Sequence, residues 1–343
     1  MRTVALAAFC LLALLDQAGA TPTYTVVDLG AGTATAINAG GSAAGWFSDP
    51  FGNYHAFLSA GGTRTDLGAG TQAFAIDSAG NAYGHTFDGN GDTAATRWSA
   101  GGAATPIAGA GSSALGVNGS GAVAGSSGGV ATVFPGASAG PAGASWSAAY
   151  GINDGGATAG TGLGPGYRFG AFVDFPGIGP VWLPSLGGAN AYGAAINGAG
   201  VVAGTAQASS GYQHAAAWTG GIGQDLGTLG GNNSGAYGIN GAGDIVGYSQ
   251  LAGGESAAFL YSNGSLLNLN LLIDPTSGWL LETAFAINES GQIAGTGLLD
   301  GTRHAFLLDP GVLMAPNAVP EPSTTAMMLL ALVLVGVPIL SRK

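Results

Sequence analysis

The stretch Ile196-Asn197-Gly198-Ala199-Gly200-Val201-Val202-Ala203-Gly204 recurs, with variations, seven times along the chain. Its pattern is Ile or Val, Asn or Asp, two free positions, Gly, three free positions and Gly. The copies begin at Ile37, Ile76, Val117, Ile152, Ile196, Ile239 and Ile287. Asn or Asp followed three residues later by Gly is the preference of a type I turn, with a short polar acceptor first and Gly fourth. Both flanks have period two, as in Phe74/Ile76, Tyr150/Ile152, Tyr237/Ile239 and Phe285/Ile287 before the turn and Val202, Ile245 and Ile293 after it. Each copy therefore reads as a β-hairpin with one buried face. The closing Gly is expected where strands crowd and a Cβ has no room.

A third strand follows each hairpin: His55-Ala56-Phe57-Leu58, Ala171-Phe172-Val173, His214-Ala215-Ala216-Ala217-Trp218, Ala258-Phe259-Leu260-Tyr261 and His304-Ala305-Phe306-Leu307. Arg97-Trp98 and Val133-Phe134 are weaker versions. A Gly-rich turn then leads to a fourth strand ending in Asp-Leu-Gly, clear at Asp66-Leu67-Gly68 and Asp225-Leu226-Gly227. Four short antiparallel strands per unit of about 40 residues is the blade of a β-propeller. The fold expected is all-β, a seven-bladed β-propeller over residues 21–308, with a β-solenoid as the alternative. Tyr24-Thr25-Val26-Val27-Asp28-Leu29-Gly30 is a fourth strand without a blade, and the seventh unit lacks one. A closed ring predicts that Thr25–Leu29 pairs with Arg303–Leu308 and removes an exposed edge; a solenoid keeps them far apart.

These residues resemble the extracellular HAF repeat family, named for the His-Ala-Phe seen at 55–57 and 304–306. The resemblance runs over residues 24–308, although copies two and three lack His-Ala-Phe. It implies an extracellular repeat protein and no particular activity. The C-terminus carries a second resemblance. Pro320-Glu321-Pro322 precedes an apolar stretch, 325–340, short for a spanning helix, and then Ser341-Arg342-Lys343. The basic pair is expected to stay cytoplasmic. This layout resembles a PEP-CTERM sorting signal, which implies exosortase as processing partner, transient membrane anchoring through the 325–340 helix, and release at the cell surface of a bacterium producing exopolysaccharide. Residues 309–319 read as a linker.

At the other end, Arg2, the apolar run Val4 to Leu15 and the small residues Ala18-Gly19-Ala20 form a secretory signal peptide over 1–20, with cleavage expected after Ala20. The single cysteine, Cys10, lies inside it, so the mature chain is expected to have no disulfide. Between the two ends stand four basic residues, Arg64, Arg97, Arg168 and Arg303, against 16 acidic ones. No basic stripe exists to neutralise phosphates, which argues against nucleic acid and anionic membrane surfaces. Glycine, at 66 residues of 343, recurs at fixed spacing among apolar residues, the mark of turns rather than disorder.

Little in the sequence points to catalysis. His55, His214 and His304 hold equivalent repeat positions, which scatters them over separate blades, whereas a metal or catalytic cluster needs its groups within a few ångströms. No cofactor motif is present, and no cofactor, metal or enzyme activity is expected. Asp88, Asn90 and Asp92 alternate like calcium donors, but Thr93 and Ser99 stand where that loop needs Gly and Glu. Asn118, Asn232, Asn263 and Asn288 open N-glycosylation patterns that read better as turns. Two roles fit: a structural or adhesive component of the surface and biofilm matrix, or a carbohydrate-binding module. The remaining alternative is a polysaccharide-degrading enzyme that assembles distant carboxylates at the centre of the propeller. Trp46, Trp98, Trp146, Trp182, Trp218 and Trp279 are the residues able to stack on sugar rings, with most expected in the blade core.

Overall fold

At every copy of the pattern the backbone makes the expected turn. The amide of its first Gly donates to the carbonyl of the Asn or Asp, as Gly200 does to Asn197 at 3.0 Å. These seven glycines have φ between 77° and 88°, the left-handed region that other residues avoid. The closing glycines meet a different demand. The strand before the turn carries a bulge, as between Ala34 and Ala36 or Gly193 and Ala195, which pushes its carbonyl toward the Gly opposite. A Cβ on Gly45, Gly84, Gly125, Gly160, Gly204, Gly247 or Gly295 would collide with that carbonyl oxygen. In five blades the ring of a third-strand Phe (57, 134, 172, 259 or 306) also lies over this glycine, and all of these but Phe134 are wholly buried.

The computed structural model describes residues 24–310 and shows seven four-stranded antiparallel sheets. Their inner strands are Thr33–Ile37, Thr71–Ile76, Ser112–Val117, Trp146–Ile152, Gly187–Ile196, Gly230–Ile239 and Trp279–Ile287. Six blades are built from consecutive strands. The seventh takes its outer strand from the N-terminal segment, Tyr24–Ala31, which pairs antiparallel with Thr302–Pro310. Val26 lies opposite Leu308 and Asp28 opposite Phe306. The ring is closed and the solenoid is excluded. That last strand runs to Pro310, so Asp309 and Pro310, expected to open the linker, lie in the sheet.

The core lies between blades rather than at one centre. Each apolar cluster spans two neighbours, such as Ala44, Ala56, Leu58, Ala73 and Trp98 across blades one and two. Alanine dominates these clusters because flat sheet faces approach closely only when the side chains between them are small. A polar belt adds to this packing. The signature asparagine side chain accepts its own turn amides at Oδ1, as Asn197 does from Ala199 and Val201. Its Nδ2 then donates to the equivalent carbonyl of the next blade: Asn118 to Asn153, Asn153 to Asn197, Asn197 to Asn240, Asn240 to Asn288, Asn288 to Asn38 and Asn38 to Asp77, at 2.9 to 3.4 Å. The belt is open at one seam. Asp77 has no donor for Asn118 and instead accepts from Asn81 and Tyr83.

Candidate functional site: the central channel and its aromatic face

The strand before each turn begins at one end of the ring and finishes at the asparagine belt, so the residues two before each Ile or Val form a tier around the axis. That tier holds Phe74, Leu115, Tyr150, Tyr237 and Phe285, with Thr35 and Ala194 leaving room in blades one and five. Together with the signature Ile and Val residues, Trp46 and Tyr192, it lines a channel of about 720 Å³. No lining residue carries a charge at neutral pH. Burial, with Tyr248 nearby, pushes the Tyr237 phenol up to about 12, and burial raises Tyr150 as well. Among the described residues, none hydrogen-bonds the hydroxyls of Tyr150, Tyr192 or Tyr237. The channel can hold a neutral, partly apolar group and offer it phenol hydroxyls; it contains no base beside a nucleophile.

The face away from the belt carries the loops between second and third strands. Phe51 and Tyr167 stand almost fully exposed there, and Tyr212 is half-exposed. Trp46 packs edge-on to Tyr54 at 5.3 Å, Tyr54 stacks on Phe87 at 6.1 Å, and Phe169 tilts against Tyr192 at 5.4 Å. The same face holds the histidines. His55 Nδ1 meets Asp66, His214 Nδ1 meets Asp225 and His304 Nδ1 meets Asp28, at 2.8 to 2.9 Å. Each Asp also accepts the amide of the Gly two residues on. His-Ala-Phe and Asp-Leu-Gly are thus two halves of one lock between third and outer strands, and the His304–Asp28 copy fastens the ring.

His85 belongs to no such pair. It is buried between Phe74 and Phe87, with Nε2 toward Gln72 Oε1 at 3.2 Å and Nδ1 toward Ser113 Oγ at 3.0 Å. Burial lowers its pKa to about 4. Asp88 spends Oδ1 on the amides of Asn90 and Asp92, repeating the signature turn. Among the described residues no three His, Cys, Asp or Glu side chains converge as a metal site would require. Asn118 and Asn288 are buried in the belt, and Asn263 occupies a turn with φ of 50°.

The tryptophans depart from expectation, since only Trp98 and Trp218 are fully buried. Alanine and phenylalanine already fill the faces between blades; Trp146 and Trp279 begin inner strands, Trp182 lies on an outer strand and Trp46 on a second strand facing the channel. Ala18, Ala20, Pro320, Glu321, Pro322, Arg342 and Lys343 lie outside the described residues, as do the expected signal peptide and the 325–340 helix. Among the described residues no helix is long and apolar enough to cross a membrane.

Residues 318–343 match the PEP-CTERM protein-sorting motif. The fold and this tail together define a seven-bladed β-propeller bearing a signal that implies export, sorting by exosortase and a membrane-anchored C-terminus before processing. No curated protein sequence matches the chain. Among solved structures, it is similar to a puromycin-hydrolyzing peptidase of Mycobacterium tuberculosis, at 13% identity over 82% of this chain and 53% of that one, with a TM-score of 0.50. It is also similar to AofleA from Arthrobotrys oligospora, at 13% identity over 86% and 89% with a TM-score of 0.45. A third is the BP39L lectin of Burkholderia pseudomallei, at 10% identity over 84% and 98% with a TM-score of 0.39. Likeness at such identity concerns the fold alone.

Proposed function

We propose that this chain is a non-catalytic, exosortase-processed surface protein of the HAF-repeat type, with a structural or adhesive role in an exopolysaccharide matrix. Its helix at 325–340 anchors it briefly in the membrane before cleavage near Pro320-Glu321-Pro322 releases the propeller. The observation that carries this reading is the sorting motif at residues 318–343, joined to a fold whose repeated residues are all engaged in holding the ring. The non-catalytic part is supported by the chemistry of the channel, which is lined by aliphatic, aromatic and hydroxyl side chains. The test compares cells making the native chain with cells making Glu321→Ala. The native chain should appear in the surface and matrix fractions and promote retention of exopolysaccharide, while the variant stays in the membrane fraction. Equal matrix retention by both strains would refute the role. A second reading, carbohydrate binding, is favoured by the exposed rings of Phe51, Tyr167 and Tyr212 gathered on one face.

A further inference from the structure

Blade four breaks the lock that blades one, five and seven share. In those blades a His two residues before the position facing the closing Gly pairs with an Asp on the outer strand. In blade four the equivalent third-strand residue is Gly170. The outer-strand residue opposite Phe172, where the others carry Asp, is Trp182. The exchange is matched in volume, because the indole occupies the room that an imidazole takes elsewhere. A Cβ on Gly170 would lie 2.5 Å from the indole ring, and one on Gly162 3.0 Å from it. The indole is nevertheless 37% exposed, as is Phe169 beside it.

Trp182, Phe169 and Arg168 line a concave pocket of about 260 Å³ at the boundary between blades four and five, with Pro165 and Ser185 at its edge. This is below the roughly 300 Å³ at which sites for drug-sized ligands begin, so it suits one ring rather than a long segment. Arg168 is set apart from the other three described cations. Arg64 lies over Phe57 and donates to Leu29, Arg303 pairs with Glu282, and Arg97 sits beside Tyr83. Arg168 is exposed and, among the described residues, its guanidinium has neither ion pair nor hydrogen bond. No acidic residue lines the pocket. An otherwise acidic molecule thus presents one unpaired guanidinium beside two accessible aromatic rings. Aromatic faces receive the C–H face of a sugar ring, and a guanidinium grips a carboxylate through two parallel hydrogen bonds.

We propose that this pocket is a binding subsite for an acidic sugar, a hexuronate residue of a polysaccharide; this deepens the carbohydrate-binding reading above. Trp182 and Phe169 hold the ring, and Arg168 holds its carboxylate. The test titrates the full chain with a galacturonate tetrasaccharide, its methyl ester and a galactose tetrasaccharide, followed by calorimetry and tryptophan fluorescence. The acid should bind at least about tenfold more tightly than the other two, the scale of a charge-assisted hydrogen bond. Arg168→Ala should reduce the acid to the level of its ester, and Arg168→Lys should restore part of the difference. Trp182→Phe should weaken all binding and abolish the fluorescence change. Circular dichroism checks that each variant is folded; Arg168→Gln replaces an Arg168 variant that is not, and Trp182→Leu replaces Trp182→Phe. No binding of the acid, or binding indifferent to Arg168, overturns the subsite. Galactose tetrasaccharide or the ester binding as tightly as the acid overturns it too, while leaving carbohydrate binding elsewhere on the face intact.

Discussion

Asn197 shows how much one side chain carries here. Its oxygen caps its own turn and its nitrogen reaches the next blade, so aspartate would serve the first role and fail the second. Asn197→Asp should cost about 1–3 kcal/mol in chemical denaturation, because it removes the buried Nδ2 donor to the Asn240 carbonyl and sets a carboxylate oxygen against it, leaving only the Gly243 amide. Gly198→Ala, one residue on at an open position, should change stability by less than about 0.5 kcal/mol. His85 makes a second residue-scale prediction at the seam where the belt is open. Its pKa is lowered in the fold, so below the unfolded value near 6.5 the unfolded chain takes up a proton that the folded chain refuses until about pH 4. His85 stabilises most above pH 6.5, and that stability drains away as pH falls from 6.5 to 4. Melting temperature should drop across this window, and His85→Gln should flatten the drop; an unchanged slope would assign the acid sensitivity elsewhere.

At the scale of the hairpin, the glycines do unequal work. Gly204 faces the Tyr192 carbonyl across a bulge, and its Cβ would overlap that oxygen. Gly204→Ala should therefore cost about 4 kcal/mol or more, or prevent folding, as overpacking against rigid backbone does. A melting temperature within a few degrees of native would show that the bulge can relax. This demand was legible in sequence, because turn chemistry and strand crowding are local and recur seven times. The His–Asp lock was half legible. Both motifs stood out, but their contact depends on a register that brings residue 55 beside residue 66, and no spacing reveals it. The same limit hid the Gly170–Trp182 exchange, which is visible only once Trp182 is placed opposite Phe172. The belt was hidden for a stronger reason, since each donor and acceptor belong to different blades.

For the whole molecule, closure is the strand Tyr24–Ala31 filling the vacancy beside Thr302–Pro310. The vacancy could be read from sequence because a seven-fold pattern makes one missing strand and one surplus strand conspicuous. Deleting residues 24–31 should bare the edge of the seventh blade, remove the His304–Asp28 pair and turn the native species into aggregates on size-exclusion chromatography. A monomeric, cooperatively folding deletion would mean that the ring holds without its clasp. In the proposed function this closed ring is carried to the surface and cut free of its tail. Intact-mass measurement of the protein recovered from the surface fraction tests that most directly. The predicted mass corresponds to a chain beginning at Thr21 and ending within Pro320–Pro322 in cells with exosortase, with the tail retained in cells lacking it. A surface protein whose mass still includes residues through Lys343 would contradict the account.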